Sequence, residues 1–427
     1  MSNVIKYRRE FHKYPEDGWN EIRTSARIIE ILRDAGVPEI LIGEDVVDVP
    51  FMETHSNVID LSDEKRRANC ERAIAEGAKE DIVKETNGYP GVIGIIDTGK
   101  PGPTYAFRFD IDCLPYDEFS EPGYRPYDEG YISTHKDCVH ACGHDGHTAL
   151  GLALAEMIMG DLDSYKGRIK LIFQPAEEVY YGAESIVSKG HLDDVDQVMI
   201  VHVALSAENE PLPSHTVCCG VNDIIGCKEI DVTFHGVAAH PAGASQEGKN
   251  ALLAACSAAL SLHAIAPHEK GLSRINVGKI NGGVAANTIC PECTMVVEYR
   301  GLFREIQDYM EKRVFDIIEG AARQYDLTYS YVECGNFPAA QSSDELMKAV
   351  QEEAAQIPWF EKIYYEGNNG GSDDCACFMN RVQDNGGLAT LIGLGCDTTG
   401  PVHNPKFDFD DDALEPCVEL LSRMLKR

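Results

Sequence analysis

The sequence predicts an α/β protein of two domains, a large mixed sheet flanked by helices with a smaller α/β module inserted into it. Three observations predict this. The chain has 427 residues, more than a single core usually holds. Apolar runs of strand length alternate with helical periodicity through its first half. After about Val221 the order becomes β-α-β-β-α-β, that of a ferredoxin-like module.

The elements follow in order. Residues 1–35 read as helical, because Ile22, Ala26, Ile29, Leu32 and Ala35 recur at helical spacing. Residues 62–85, a charged stretch containing DEKRRANCERAIAEGAKED, read as one solvated surface helix inserted before the strand GVIGIID. Tyr105–Ile111 is then a strand, His147–Met159 a helix, Arg168–Phe173 a strand, Ser185–Lys189 a short helix and Gln197–Val201 a strand. In the inserted module, KEIDVTFHG has the period-two alternation of a half-buried strand, at Ile230, Val232 and Phe234. NALLAACSAALSLH is a helix, SRINVGKI and TMVVEYRG are strands, Phe303–Tyr325 is a long helix and LTYSYVEC the last strand. The module is therefore expected at 223–336, with 1–222 and 337–427 forming the larger domain.

Composition narrows the partners. Lys and Arg total 38 against 70 Asp and Glu, a net charge of −32. That field repels a phosphate backbone, so nucleic acid is excluded as a partner. No apolar run approaches the ~18 residues of a membrane span, and the start MSNVIKYRREFHKYPEDGW lacks the apolar stretch of a secretory signal. Fifteen scattered cysteines, an odd number without regular spacing, read as free thiols of a reducing cytoplasm.

The densest chemical signal is His140-Ala-Cys-Gly-His-Asp-Gly-His147. Cys142 and His144 lie two apart on a glycine loop, where both can converge on one ion. Thiolate and imidazole suit zinc, manganese or a similar metal. A helix begins just after, with Asp145 as a candidate cap. The second signal is FQPAEE at the carboxyl end of the strand RIKLIF, where open α/β sheets gather ligands. Glu177 and Glu178 are adjacent, so their side chains diverge, one able to bind metal while the other faces a reacting water. His202, just after QVMIV, and His403, in GPVHNPKFDFDDD, complete the set. Each has a plain alternative: satisfied loop histidines, a surface acid pair, a core or surface histidine. Their joint placement after strands or at helix starts of one sheet is what a dinuclear site draws on.

HACGHDGH, FQPAEE, the post-strand His202 and HNPKFDFDD together resemble the amidohydrolase branch of the aminoacylase–carboxypeptidase metallopeptidase family. The resemblance runs over nearly the whole chain. It implies a catalytic metal-binding domain, an inserted lid and dimerisation domain, and two divalent metal ions, manganese or zinc. It places metal ligands on Cys142, His144, Glu178, His202 and His403, with Cys142 bridging and Glu177 as general base. RFDIDCLP resembles a family segment in which Asp112 is the acid supporting the ligands; its alternative is a simple structural aspartate. FHGVAAHPAG resembles the lid motif, putting His240 near the substrate across a dimer. ANTICPE and EYRG supply Asn287 and Arg300 for the substrate, the latter a fork suited to a carboxylate or else a surface-strand arginine. GGSDD, at Gly370–Asp374, resembles a glycine-rich family loop with Asp in place of Glu, and Gly371 lets backbone approach a ligand. The implied activity is hydrolysis of the amide of a small N-acyl amino acid, with p-aminobenzoyl-glutamate ranked first. The alternatives are indoleacetyl-amino acids, hippurate, N-acetyl amino acids and dipeptides as substrates, and a catalytically silent partner subunit. The implied assembly is a homodimer, with a second, related subunit type as a further partner.

Overall fold

The computed structural model describes residues 2–55 and 59–427. The chain divides into two compact units, Met1–Asn222 with Gln341–Asn369 and Asp374–Arg427 in the first, and Asp223–Ala340 with Gly370–Asp373 in the second.

The first unit is built on an eight-stranded sheet. In chain order its strands are β1 (Glu39–Ile42), β2 (Val92–Asp97), β3 (Thr104–Asp110), β4 (Arg168–Gln174) and β5 (Gln197–Val203). A two-residue ladder, β6 (Ser206–Ala207) with β7 (Glu210–Pro211), precedes β8 (Thr216–Cys218). The strands of the second unit, β9 (Gly226–His235), β10 (Ser273–Gly282), β11 (Glu292–Gly301) and β12 (Thr328–Phe337), intervene before β13 (Lys362–Tyr364) and β14 (Leu388–Leu394) return to the first sheet. The order across that sheet is β1-β2-β4-β3-β5-β14-β8-β13. β4, β3, β5 and β14 run parallel, β1 and β2 pair antiparallel with their neighbours, and β8 is antiparallel to β14 but parallel to β13. The expected mixed sheet is thus present. Its central strands are buried on both faces, as parallel strands covered by helices must be.

Topology selects one place on this sheet. The helix His144–Gly160 leads from β3 to β4 on one side. The helix Gly182–Ser188 then leads from β4 across to β5 on the other side of β3. The carboxyl end of β3 is therefore a switch point, where successive connections diverge and leave a crevice.

Two helical expectations need correction. The N-terminal stretch is two helices, Asn3–Lys13 and Ile22–Asp34, because Pro15 removes a backbone donor and ends the first. The charged insertion is also two, Asp63–Ala75 and Glu80–Thr86, separated by Gly77 in the left-handed region (φ 91°). Nor is the first of these merely solvated: Asn69 and Ala73 are buried, and Arg72 reaches the buried Glu16 and the Asn20 carbonyl.

The second unit is an antiparallel sheet in the order β10-β11-β9-β12. The helices Ala251–Leu262 and Arg304–Gln324 pack on it. Alternation decides which side is covered: Ile230, Val232 and Phe234 of β9 and Met295, Val297 and Tyr299 of β11 are buried with Met310, Val314 and Ile318 of the long helix. This unit extends to Ala340, beyond 336, because Gln307 accepts from the Ala339 N–H (3.0 Å) and donates to the Phe337 carbonyl (3.1 Å).

One ionic network anchors the N-terminal helix. Arg8, 1% exposed, reaches Asp145 (3.2 Å) and Asp408 (2.5 Å) and stacks on Phe409. His12 places Nδ1 2.8 Å from Asp145 and Nε2 2.8 Å from Glu118. Asp145 is therefore no helix cap. The cap position is Gly143, and Asp145 sits in the first turn with its carboxylate committed to Arg8 and His12. Burial opposes a charge on His12, but the bonds to Asp145 and Glu118 outweigh it and push the imidazole from 6.5 up to about 9. The folded state thus binds this proton more tightly than the unfolded chain. The stabilisation is full below about pH 6.5 and is lost as pH rises towards about 9. Denaturant unfolding across this window is expected to show stability falling with pH, and His12→Gln to flatten the slope; an unchanged slope would assign the dependence to other groups.

Candidate metal centre

Loops from the carboxyl ends of β3, β4 and β5 meet at the switch point. β3 delivers Asp110 and, two residues on, Asp112. Both are fully buried. Asp112 acts as a clamp: its Oδ1 lies 3.2 Å from His144 Nδ1, and its Oδ2 accepts the Glu178 N–H at 2.9 Å. With Nδ1 also 3.1 Å from the Asp112 carbonyl, His144 carries its proton on Nδ1 and turns the Nε2 lone pair into the crevice. His202 likewise places Nδ1 2.6 Å from the Val203 carbonyl, leaving Nε2 3.7 Å from Cys142 Sγ. Gly143 makes the Cys142-to-helix turn feasible. It has φ 91°, and a Cβ there would fall 2.3 Å from the Val203 side chain.

After β4 the chain kinks at Ala176, whose φ of 57° is uncommon for a residue with a side chain. Its N–H is held by the buried Glu21 (2.7 Å). The kink aims Glu177 and Glu178 into the same crevice, with Glu177 Oε2 3.9 Å and Glu178 Oε1 4.0 Å from His144 Nε2. His403 arrives from the C-terminal loop, its N–H on the Ala141 carbonyl (2.8 Å) and its Nε2 3.4 Å from Glu178 Oε1. Cys142, His144 and Glu178 offer sulfur, nitrogen and oxygen atoms within 4.8 Å of one another.

A second group, Asp110, His144, His147 and His202, meets the same distance. It is less suited to coordination, because His147 is spent: its Nδ1 lies 2.6 Å from Asp110 Oδ1, and its Nε2 accepts the Val203 N–H (3.1 Å). His144 Nε2 and Glu178 Oε1, by contrast, are buried without a hydrogen bond. Buried acceptors are rarely left so, and a cation satisfies both. Charge points the same way. Burial opposes a proton on His144, but Asp110 and Cys142 outweigh it and push the imidazole well up. A metal ion at Nε2 would take the place of that second proton among the same negative groups. Burial, then Glu178 and Cys142, push the nearby Tyr116 phenol up to about 12.

Beneath the site lies a buried cation, Arg108 of β3. It pairs with Asp110 (2.5 Å), Gln174 (2.7 Å) and Asp374 (2.7 Å). Asp374 also accepts from Gln174 Nε2 (2.7 Å) and the Ala183 N–H (3.0 Å). This gives the acid ending GGSDD a definite role: it closes the Arg108 pair and holds the start of the helix Gly182–Ser188. Burial works against Asp110, yet Arg108, His144 and His147 hold its carboxyl well below the usual carboxylate range.

The structure thus gathers Asp112, Cys142, His144, Glu177, Glu178, His202 and His403. His240, Asn287, Arg300 and Gly371 belong to the second unit. His240 is exposed, and its Nδ1 accepts the N–H groups of Ala242 (3.2 Å) and Gly243 (3.0 Å). Its Nε2 therefore carries the proton and is a hydrogen-bond donor. Asn287 is exposed in the turn after β10. The Arg300 fork is engaged by Glu298, two residues back on the same face of β11 (2.8 and 3.0 Å). Gly371 has open space beside it, next to Gly370 at φ 70°.

The profile of peptidase family M20/M25/M40 matches residues 106–427. The chain belongs to that family. Indole-3-acetyl-aspartic acid hydrolase of Enterobacter agglomerans is 37% identical over 425 residues, 99% of this chain and 95% of that protein. A p-aminobenzoyl-glutamate hydrolase subunit of Escherichia coli is 37% identical over 418 residues, 98% of this chain and 94% of that protein. A crystal structure of an aminobenzoyl-glutamate utilization protein from Klebsiella pneumoniae matches with a TM-score of 0.76 at 34% identity, covering 99% of this chain and 96% of that one.

Within this M20 member, sequence reasoning missed Arg108, Asp110, Glu21 and His147. A signal was present for the first two. Arg108 and Asp110 fall on one face of an otherwise apolar strand, and buried charges are nearly always paired. Arg108→Ala is expected to leave Asp110 and Asp374 uncompensated and to cost about 3–5 kcal/mol of unfolding free energy, measured by chemical denaturation; a loss under about 1 kcal/mol would mean the acids find other partners.

Proposed function

We propose that this chain hydrolyses the amide bond of an N-acyl amino acid, with two divalent ions, manganese or zinc, held by Cys142, His144, Glu178, His202 and His403. The observation that carries the reading is the convergence of Cys142, His144 and Glu178 at the switch point, with Glu177 beside them. When bound, the metal supplies Lewis-acid polarisation of the carbonyl and a lowered pKa for the attacking water. Asp112 positions two of the ligands through one carboxylate. Glu177 takes a proton from the water as it attacks the carbonyl carbon, then delivers that proton to the nitrogen of the departing amine as the C–N bond breaks. His240, a donor at Nε2, is assigned to the developing oxyanion. Glu177→Gln is expected to lower kcat by about 10²–10⁴-fold with metal content intact, while Glu178→Gln loses metal. Full turnover in the first variant, or full metal content in the second by elemental analysis, would overturn these roles.

The relatives' names join an aromatic acyl group to an acidic amino acid in both cases. We rank p-aminobenzoyl-glutamate first for this chain. Asn287 and Arg300 are assigned to the substrate carboxylates, an assignment that requires the Arg300 fork to exchange Glu298 for the ligand. Gly371 is assigned to close backbone approach. Comparing kcat/KM for aminobenzoyl-glutamate, indoleacetyl-aspartate, hippurate and N-acetyl amino acids, with manganese or zinc, tests the ranking. Arg300→Ala should damage carboxylate substrates ten- to a hundredfold more than their amide analogues. A hundredfold preference for another acyl group displaces aminobenzoyl-glutamate, and no hydrolysis of any of them displaces the reading.

The proposed homodimer draws support from the second unit. β10 is an edge strand, and the helix Ala251–Leu262 exposes Leu253 and Leu260 (78%), seven residues apart on one face. Activity of the purified chain alone decides whether a second kind of chain is needed.

A further inference from the structure

The charged helix Asp63–Ala75 supplies nothing to the metal centre directly, yet one face of it is tied to the segment Pro15–Glu21. Asn69 Nδ2 donates to Asn20 Oδ1 (2.8 Å). Arg72 reaches the Glu16 carboxylate and the Asn20 carbonyl (2.7 Å). Glu76, which ends the helix, lies 2.8 Å from His135 Nε2, and His135 Nδ1 donates to the Pro15 carbonyl (2.6 Å). Steps of three and four residues put Asn69, Arg72 and Glu76 on that one face. Arg67, on the opposite side, is exposed.

The segment so held touches two loops of the metal centre. Glu16 is fully buried, and its carboxylate accepts the N–H groups of Arg23 (3.1 Å) and Thr24 (2.7 Å). Its carbonyl accepts the N–H of Cys113 (2.9 Å), the residue after Asp112, and Asp17 pairs with Cys113 in a parallel bridge. Gly18 packs on the other loop: a Cβ there would overlap Val179 Cγ2 and fall 3.2 Å from Ala176 Cα. Ala176 and Val179 flank Glu177 and Glu178, and Glu21 holds the Ala176 N–H (2.7 Å). Trp19 stands at φ 66°, a backbone that a bulky residue keeps only where its surroundings hold it. Asn69 and Arg72 hold its neighbour, Asn20.

We propose that the helix Asp63–Ala75 is a brace for the metal centre, and that Arg72 is a positioning residue acting through Glu16–Glu21 on the placement of Asp112, Glu177 and Glu178. Without the Arg72 cation the Glu16 carboxylate is left buried and uncompensated, and the segment shifts. A shift of about 1 Å in a loop that carries a metal ligand and a base is enough to cost ~10²-fold in rate. The consequence for turnover rests on amide hydrolysis by this chain; the consequence for metal binding does not.

Arg72→Met, Arg72→Lys and the control Arg67→Met, made in the full chain and assayed well below their thermal midpoints, test this. The first readout is manganese affinity of the metal-free protein, by calorimetry. Arg72→Met is expected to bind manganese about tenfold more weakly, Arg72→Lys to recover part of the loss, and Arg67→Met to match the wild type. The second readout is turnover of the best N-acyl amino acid at saturating metal, with kcat lowered about 10- to 100-fold in Arg72→Met and KM little changed. Asn69→Ala cuts a tie on the same face without stranding a charge; it is expected to show the same losses in smaller measure, and it carries the test where Arg72→Met does not fold. A loss in either readout that Arg67→Met does not share upholds the brace. Wild-type manganese affinity and kcat, a change in KM alone, or equal losses in Arg67→Met overturn it, and a wild type that binds neither manganese nor zinc removes the centre and the brace together. Weakened manganese binding in a protein whose wild type hydrolyses no N-acyl amino acid upholds the brace and rejects amide hydrolysis.

Discussion

Arg108 is a full positive charge with 1% of its surface exposed, and taking such a charge out of water costs several kcal/mol unless acids and hydrogen bonds surround it. Asp110, Gln174 and Asp374 do so, and they come from β3, β4 and the residue that opens the helix Cys375–Asp384. Satisfying one cation therefore fixes the ends of two parallel strands relative to a third segment. Asp110 uses its other oxygen for His147, and His147 uses its second nitrogen for the backbone of Val203, at the end of β5. The relay runs across three strands through direct hydrogen bonds.

Asp112 repeats the device one step nearer the site. A single buried carboxylate orients His144 and pins the Glu178 backbone, so two candidate ligands share one reference point. Glu21, behind the kink at Ala176, braces the same loop from the other side. Burial, with the nearby Asp112, pushes the Glu21 carboxyl well up. Of the buried atoms without a hydrogen bond, His144 Nε2 and Glu178 Oε1 are the ones that also lie among the candidate ligands.

The second unit makes a different kind of contribution. Its sheet is covered by helices on one face, and its polar residues stand on the other. Arg300 and Glu298 are two apart on one strand and so share that face, which is why the fork finds a carboxylate within its own strand. His240 is prepared otherwise: two backbone N–H groups choose its tautomer, an arrangement no side-chain pattern announces.

Local chemistry and period were enough, in the sequence itself, to determine the α/β class, the β-α-β-β-α-β order of the insert and the residue types of the metal loop. Alternation at Ile230, Val232 and Phe234, and the crowding of histidine and cysteine between His140 and His147, are properties of neighbouring residues, and neighbours are what a sequence displays. Pro15 and Gly77 were equally visible as breaks, and the continuous helices expected there gave way at those points for reasons of backbone geometry. Pairings between distant residues were decided by tertiary structure alone. Arg108 meets Asp374 across 266 positions, and Arg8 meets Asp408 across 400. Asp145 illustrates the limit. Its position before a helix suits a cap by local rules, yet burial beside Arg8 and His12 commits its carboxylate to ion pairs, since a buried cation without an acid costs more than a helix end without a cap.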